Sequence, residues 1–421
     1  MHSTDTAAAA DALATLVSFR TVSSRSPGGT DEAEFEAFLA ALPGLFPGVY
    51  AAMDVERVNG CALLVRWAGV PRTSSPTDNT AAGTTGSPGG GLAGPAVLMA
   101  HYDVVPAGDE AAWTHPPFSG HNDGTHLWGR GTLDDKGQLA VILSAAEALL
   151  ADGFVPARDV YFSFGDNEET AGDSAAAAAE LLAERGVRPA LVLDEGGAVA
   201  GGAFPGVTRP AAVVGVAEKG ILDVELLTRD PGGHASTPPR MGATARLARA
   251  ITRIENHPFP QHLPDVTAEM LRRFGPHAPL PLRLAFAHVE RLRTPLTWLF
   301  GRLGGETNAM TRTTVAITTL RGSAGANVLA ATAAANANIR VAVGETVAGT
   351  VERLRRIIRD PKVELRVVEG NEPSPVSATH GPAWELLTEC IVTTYPEAIV
   401  TPYIMMGGTD SRRFTGICEA V

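Results

Sequence analysis

PAVLMAHYD (residues 95–103) decides the fold. An apolar run of strand length ends abruptly in His-Tyr-Asp, and a strand sends alternate side chains to one face. His101 and Asp103 therefore leave the strand on the same side. Three further motifs follow at domain-scale intervals, each with acidic residues close behind an apolar or glycine-rich stretch: GRGTLDDKG (129–137), DNEET (166–170) and DEGG (194–197). One imidazole and several carboxylates at strand ends form an N/O donor set that suits zinc, and a carboxylate can bridge two ions.

Around these motifs strands and helices alternate. CALLVRW (61–67), PAVLMAHYD, DVYFSFGD (159–166) and ALVLDE (190–195) read as strands. Residues 6–19, 31–42, 137–153 and about 173–185 read as helices, with Asp31 and Glu34 in a capping arrangement. This order predicts an α/β domain built on a doubly wound, mostly parallel sheet, with its site at the carboxyl ends of the strands. A stretch rich in Gly, Ser, Thr and Pro, residues 69–95, reads as a flexible insertion without chemistry.

From VVGVAEKG (213–220) onward the pattern changes to ILDVELLTR, TTVAITTLRGS and ANANIRVAV as strands, with helices near 242–256 and 346–359. The expectation is an inserted α+β domain over 213–362. The first domain would then occupy 1–212 and resume at 363–421, where WELLTECIVTTY reads as a helix. The Pro- and His-rich stretch 257–300 gives no clear period.

Bulk properties exclude whole classes of function. A net charge of −12 without a basic stripe argues against nucleic acid and anionic membranes, and few aromatic residues leave no base-stacking platform. The three cysteines form no CxxC pair, so neither a disulfide framework nor a cysteine zinc site is indicated. The N-terminus lacks a cationic start, and no apolar run reaches the ~18 residues of a membrane span. A cytoplasmic protein is expected.

Two local arguments refine the site. Glu168 and Glu169 are adjacent, so they converge on one centre only where the strand has ended, and Gly165 and Gly172 bracket such a break. One can then bind metal while the other moves a proton. Asp134 and Asp135 repel each other unless a cation lies between them, and Asp194 competes with Glu195 in the same way. Lys136 reads as a balance to the local negative charge.

The motifs MAHYDVVPA, WTHPPFSG, LWGRGTLDDKG, FSFGDNEETAG, VLDEGGAV and PGGHASTPP resemble the dizinc metallopeptidase family of carboxypeptidase S, aminoacylase and succinyl-diaminopimelate desuccinylase. They are most like its carboxypeptidase S / Gly-X carboxypeptidase branch. The resemblance runs from about residue 10 to the C-terminus. It implies zinc, two ions per subunit, with His101 and Glu195 on one, Asp134 bridging and Glu169 on the second. It leaves Glu168 as general base and Asp103 orienting His101. It implies that the inserted domain is a lid and dimerisation domain of a homodimer. There His234 would reach the partner's site to stabilise an oxyanion, and Asn327, Arg340 and Arg412 would contact substrate. The implied reaction is hydrolysis of an amide bond beside a free carboxylate, in a small peptide or N-acyl amino acid. One departure stands out: family members carry a further histidine ligand well after the GGTDSR motif, and no histidine follows His380 here. A chain cut short at its C-terminus, with an incomplete second zinc site and catalytic domain, is one expectation. A nearly inactive dimeric remnant is the alternative.

Overall fold

The strand that ends at His101 lies inside a five-stranded sheet. The computed structural model describes residues 6–70, 92–202, 204 and 206–421, so most of the expected insertion at 69–95 lies outside the described residues. The chain divides into two units. The first comprises Met1–Gly196, His380–Glu389 and Thr409–Val421, and the second Gly197–Thr379 and Cys390–Gly408.

In the first unit, helices α1 (Thr6–Val17), α2 (Glu32–Leu45) and α3 (Pro47–Ala52) precede β1 (Asp54–Val58), β2 (Ala62–Trp67) and β3 (Ala96–His101). A small hairpin, β4 (His121–Asn122) and β5 (Leu127–Trp128), leads into α4 (Lys136–Ala151), β6 (Val160–Gly165), α5 (Ser174–Glu184) and β7 (Leu191–Leu193). The sheet order is β1-β2-β6-β3-β7. Its centre, β6, β3 and β7, is parallel, while β2 and β1 run antiparallel at one edge. Layers cover both faces. Phe35, Phe38, Leu42, Leu139 and Leu143 pack on one, and Ala175, Ala178, Leu182 and Phe414 on the other. This is the two-sided burial that parallel strands require.

The helix starts show what sequence periodicity leaves open. The Asp31 carboxylate accepts from Ala33 N–H, as a cap should, but Glu34 does not return the bond. Its carboxylate accepts from Arg20 N–H at 2.7 Å instead. Lys136 also departs from expectation. Its side chain is fully buried and its ammonium donates to the carbonyls of Leu16 (3.1 Å) and Phe19 (2.7 Å), so it caps the end of α1 and holds it to α4. Burial pulls it down to about 7.

The second unit holds β8 (Ala198–Ala200), β9 (Ala211–Glu218), β10 (Gly220–Arg229), β11 (Gly233–His234), α6 (Ala243–Asn256), α7 (Asp265–Phe274), α8 (Leu280–Ala287), α9 (Arg293–Leu303) and α10 (Gly305–Ala309). It continues with β12 (Thr314–Arg321), β13 (Val328–Leu329), β14 (Thr332–Val341), α11 (Val347–Ile358) and β15 (Val363–Asn371). Helix α12 (Pro382–Thr394), which starts in the first unit and ends in the second, then precedes β16 (Ile399–Met405) of the second unit. An antiparallel sheet of order β12-β14-β10-β15 packs against α6 and α11.

The unit boundaries differ from 212 and 362. β15 pairs with β10 from Ile221↔Asn371 to Thr228↔Val363, so residues 363–371 complete the second unit's sheet. β9 does not join that sheet but runs parallel to β16 and antiparallel to β8. The unreadable stretch 257–300 contributes to a separate core, where Leu271, Phe274, Phe286 and Phe300 bury against Ala211 and Ile399.

Phe414 is wholly buried among Ala175, Leu182 and Val192, and Val192 N–H donates to Ala420 O at 2.8 Å. Phe414→Ala is expected to cost about 3–5 kcal/mol through lost burial and the cavity left behind. Chemical denaturation checks this: a midpoint equal to the parent's would show that the 410–421 segment is not packed on α5 and β7.

Candidate metal centre

Four strand ends and loops of the first unit converge at the carboxyl edge of its parallel strands. β3 delivers His101, which is 2 % exposed. Tyr102 turns the other way, stacks on Phe38 at 4.4 Å and donates its hydroxyl proton to Cys61 O at 2.8 Å. That anchor leaves Asp103, fully buried, on the side of His101.

His101 Nδ1 lies 3.0 Å from Asp103 O and 3.3 Å from Asp103 Oδ1, while Nε2 lies 2.9 Å from Asp134 Oδ1 and 3.6 Å from Glu195 Oε1. The ring therefore has one nitrogen held from behind and the other turned toward carboxylates, the usual posture of a metal-binding imidazole. Asp103 does more than orient it. Its Oδ1 accepts from Glu168 N–H and its Oδ2 from Glu169 N–H, each at 3.1 Å, and Oδ2 also accepts from Ser23 Oγ at 2.6 Å.

This explains how adjacent glutamates reach one centre. β6 ends at Gly165, where a Cβ would stand 2.8 Å from Asp410 Oδ2, and a 3-10 turn over Glu168–Thr170 follows, pinned through its N–H groups to Asp103. Asp134 and Asp135 sit at the start of α4. Asp134 is open, its side chain 63 % exposed, whereas Asp135 is buried with Oδ2 3.4 Å from His101 N.

Of the rival pair after β7, Glu195 faces His101, while Asp194 Oδ2 accepts from Ser411 N–H at 2.8 Å. Ser411 and Asp410 belong to the 3-10 turn Asp410–Phe414. Sequence reasoning valued the GGTDSRRF segment only for Arg412 and missed Asp410. The available signal was a further acidic residue beside a Gly-Gly pair in a motif already singled out.

Among the described residues, two triads have ligand atoms close enough together for one ion: His101 with Asp134 and Glu169, and His101 with Asp135 and Glu195. Both use the same histidine. His380 is exposed.

The electrostatics show a surplus of carboxylates. Burial, and after it Asp410, Glu195 and Asp103, push Glu168 up to about 9 against the pull of His101. Burial raises Asp135 to about 8, Glu169 and Asp410 to about 7, and Asp194 to about 6, with neighbouring carboxylates adding to each. Asp134 is held low by its contact with His101. Burial opposes a charge on His101, but contacts with Asp103, Asp134 and Glu195 raise it. Glu169 Oε1 is also buried without a hydrogen-bond partner, a costly state for a carboxylate oxygen. One imidazole cannot neutralise this cluster. A divalent cation among these oxygens would satisfy the orphan and reverse the electrostatic cost for every carboxylate around it, so the donor set fits a metal.

The remaining sequence-predicted residues lie elsewhere. In the second unit, His234 on β11 is paired with Val328 on β13 and its Nδ1 contacts Ser236 Oγ at 2.8 Å; Ala235 N–H donates to Asn327 O at 3.0 Å. This ladder brings His234 and Asn327 together, both exposed. Arg340, half-buried, is on β14 opposite Ile221 and Thr314. Arg412, half-buried, follows Ser411 in the first unit.

Residues 97–421 match peptidase family M20/M25/M40. The chain is 33% identical to "Probable carboxypeptidase S-like 2" of Dictyostelium discoideum, over 98% of this chain and 76% of that one. It is 35% identical to the N-fatty-acyl-amino acid synthase/hydrolase PM20D1 of Homo sapiens, over 78% of this chain and 66% of that one. Among solved structures, the metallo-carboxypeptidase Sso-CP2 of Sulfolobus solfataricus matches in fold with a TM-score of 0.66 at 17% identity, covering 97% of this chain and 89% of that one. Human carnosine dipeptidase 1 matches with a TM-score of 0.60 at 16% identity, covering 97% and 86%.

Proposed function

The chain belongs to peptidase family M20/M25/M40, and from that premise we propose that it hydrolyses an amide bond beside a free carboxylate, in a small peptide or an N-acyl amino acid, with zinc bound in the first unit. The observation that carries the reading is the turn Glu168–Thr170. It sets an unpartnered Glu169 oxygen and a half-buried Glu168 side by side next to His101 and Asp134. The names of the relatives, a carboxypeptidase S-like protein and an N-fatty-acyl-amino acid synthase/hydrolase, support the substrate class.

In this reading His101, Asp134, Glu169 and Glu195 hold the metal. Bound zinc would supply Lewis acidity, easing deprotonation of water and offsetting charge that develops on the substrate carbonyl oxygen. The chain's own residues do the rest. The Glu168 carboxylate takes a proton from the attacking water and later returns it to the leaving amine nitrogen. Asp103 keeps His101 and both glutamate N–H groups in place, so proton acceptor and ligands move together. Arg412 is the proposed grip on the substrate carboxylate, where a planar guanidinium pairs two oxygens at once. The roles proposed for His234, Asn327 and Arg340 rest on the family resemblance of their motifs alone.

Both candidate triads depend on His101, and one Nε2 serves one ion. The reading therefore favours one tight ion per chain over two, because a second ion would depend on carboxylates alone. A homodimer and a cytoplasmic location complete the proposal. Three free cysteines are compatible with a reducing compartment, and no helix among the described residues is long and apolar enough to cross a membrane. The test is hydrolysis of N-acyl amino acids before and after chelation. Activity that chelation removes and zinc restores is expected; activity indifferent to chelation contradicts the reading.

A further inference from the structure

Helices α6 and α11 lie together on the antiparallel sheet of the second unit, and their C-terminal ends border a half-open cleft of about 240 Å³. Arg253, His257, Arg353, Arg356, Ile357 and Arg359 line it. Four arginines are among its six lining residues, and no carboxylate lines it. Elsewhere on these helices arginines are paired: Arg246 and Arg249 with Asp360, and Arg355 with Glu352.

Three of the pocket arginines are fixed by backbone carbonyls instead, which orient a guanidinium without neutralising it. Arg253 donates to the carbonyls of Ile358 and Arg359. Arg353 donates to Pro258 O at 3.1 Å and lies over the Phe259 ring, and its Nε is buried with no acceptor. Arg359 Nε donates to Arg356 O at 3.3 Å. The Arg356 side chain has neither hydrogen bond nor ion pair among the described residues. General basicity does not account for the cluster, since the protein carries a net charge of −12.

A second observation concerns Arg359 itself. It ends α11 with φ 47° and ψ 40°, the left-handed conformation in which glycine is the usual residue. A long cationic side chain stands here where glycine would cost the backbone less.

We propose that this pocket binds a phosphate dianion carried by a small dissolved solute. Guanidinium forks match the tetrahedral oxygens of phosphate, and a dianion answers several of them at once where a single carboxylate would not. The Arg353 Nε is buried without an acceptor, and the exposed Arg356 head carries no protein partner among the described residues.

The test is calorimetric titration of the full chain with inorganic phosphate at constant ionic strength, together with its thermal midpoint in phosphate against chloride. Saturable binding of one phosphate per chain and a raised midpoint in phosphate are expected. Arg356→Gln should weaken binding by about tenfold or more, as loss of a charged hydrogen bond does, without lowering the phosphate-free midpoint. Arg359→Gly should weaken binding while leaving that midpoint equal or higher, because glycine relieves the left-handed backbone. Asp134→Ala should keep the phosphate site, which separates it from any phosphate taken up at the metal centre. Equal affinity in parent and both arginine variants, or no saturable binding, overturns the proposal and leaves the arginines as helix-end caps. Capture by phosphatidic acid vesicles without binding of inorganic phosphate also overturns it, in favour of a lipid headgroup.

Discussion

Glu168→Gln is expected to keep its metal and lose turnover by about 10²- to 10⁴-fold, the usual worth of a positioned proton acceptor. The substitution removes one charge and almost no volume. The backbone bond from residue 168 N–H to Asp103 Oδ1 does not involve the changed group, so the turn that presents Glu169 stays in place. None of the four proposed ligands is altered. The signature is thus a split: metal content like the parent's, with kcat reduced far more than KM changes. Near-parental kcat would show that the proton goes elsewhere. Loss of metal along with activity would make Glu168 a ligand rather than a base.

Asp134→Ala is expected to weaken metal binding more than any other single change, by more than about 100-fold, a loss that even residues behind the ligands can approach. Asp134 is the carboxylate nearest to His101 Nε2 and shares a triad with it and Glu169. Its removal leaves that triad one donor short. Asp135→Ala is the informative companion, because Asp135 belongs to the other triad. Parental affinity in Asp134→Ala together with loss in Asp135→Ala would move the metal to the triad of Asp135 and Glu195. The readout is metal per chain after exhaustive dialysis.

What the sequence made legible, and what it hid, follows from the range of the interactions. β3, β6 and the helices over Lys136–Ala151, Ser174–Glu184, Ala243–Asn256 and Val347–Ile358 stand within a few residues of their expected bounds, because periodicity and end signals are local. The break after β6 was readable from Gly165. Its cause was not: the N–H groups of Glu168 and Glu169 are held by Asp103, 65 and 66 residues away, and backbone donors leave no mark in a sequence. Lys136 lies in an acidic motif, yet it binds carbonyls at the end of α1, a contact spanning 117 and 120 residues. β16 escaped notice because Pro402 interrupts its pattern and its partner β9 lies far back in the chain. Residues 363–371 were expected in the first domain and read as no element, because a strand's own sequence does not declare which sheet it will join. Asp410 was missed for the same reason as the grip of Asp103: its place beside Gly165 is a tertiary fact.

The central claim is that the cluster at the end of β3 is a metal site. Anomalous diffraction at the zinc edge, on crystals grown from the zinc-loaded chain, tests it most directly. The account predicts a zinc peak at coordination distance, about 2.0–2.2 Å, from His101 Nε2 and from a carboxylate oxygen of Asp134. Zinc bound only elsewhere, or a cluster without a peak in a chain that still hydrolyses its substrate, would contradict it.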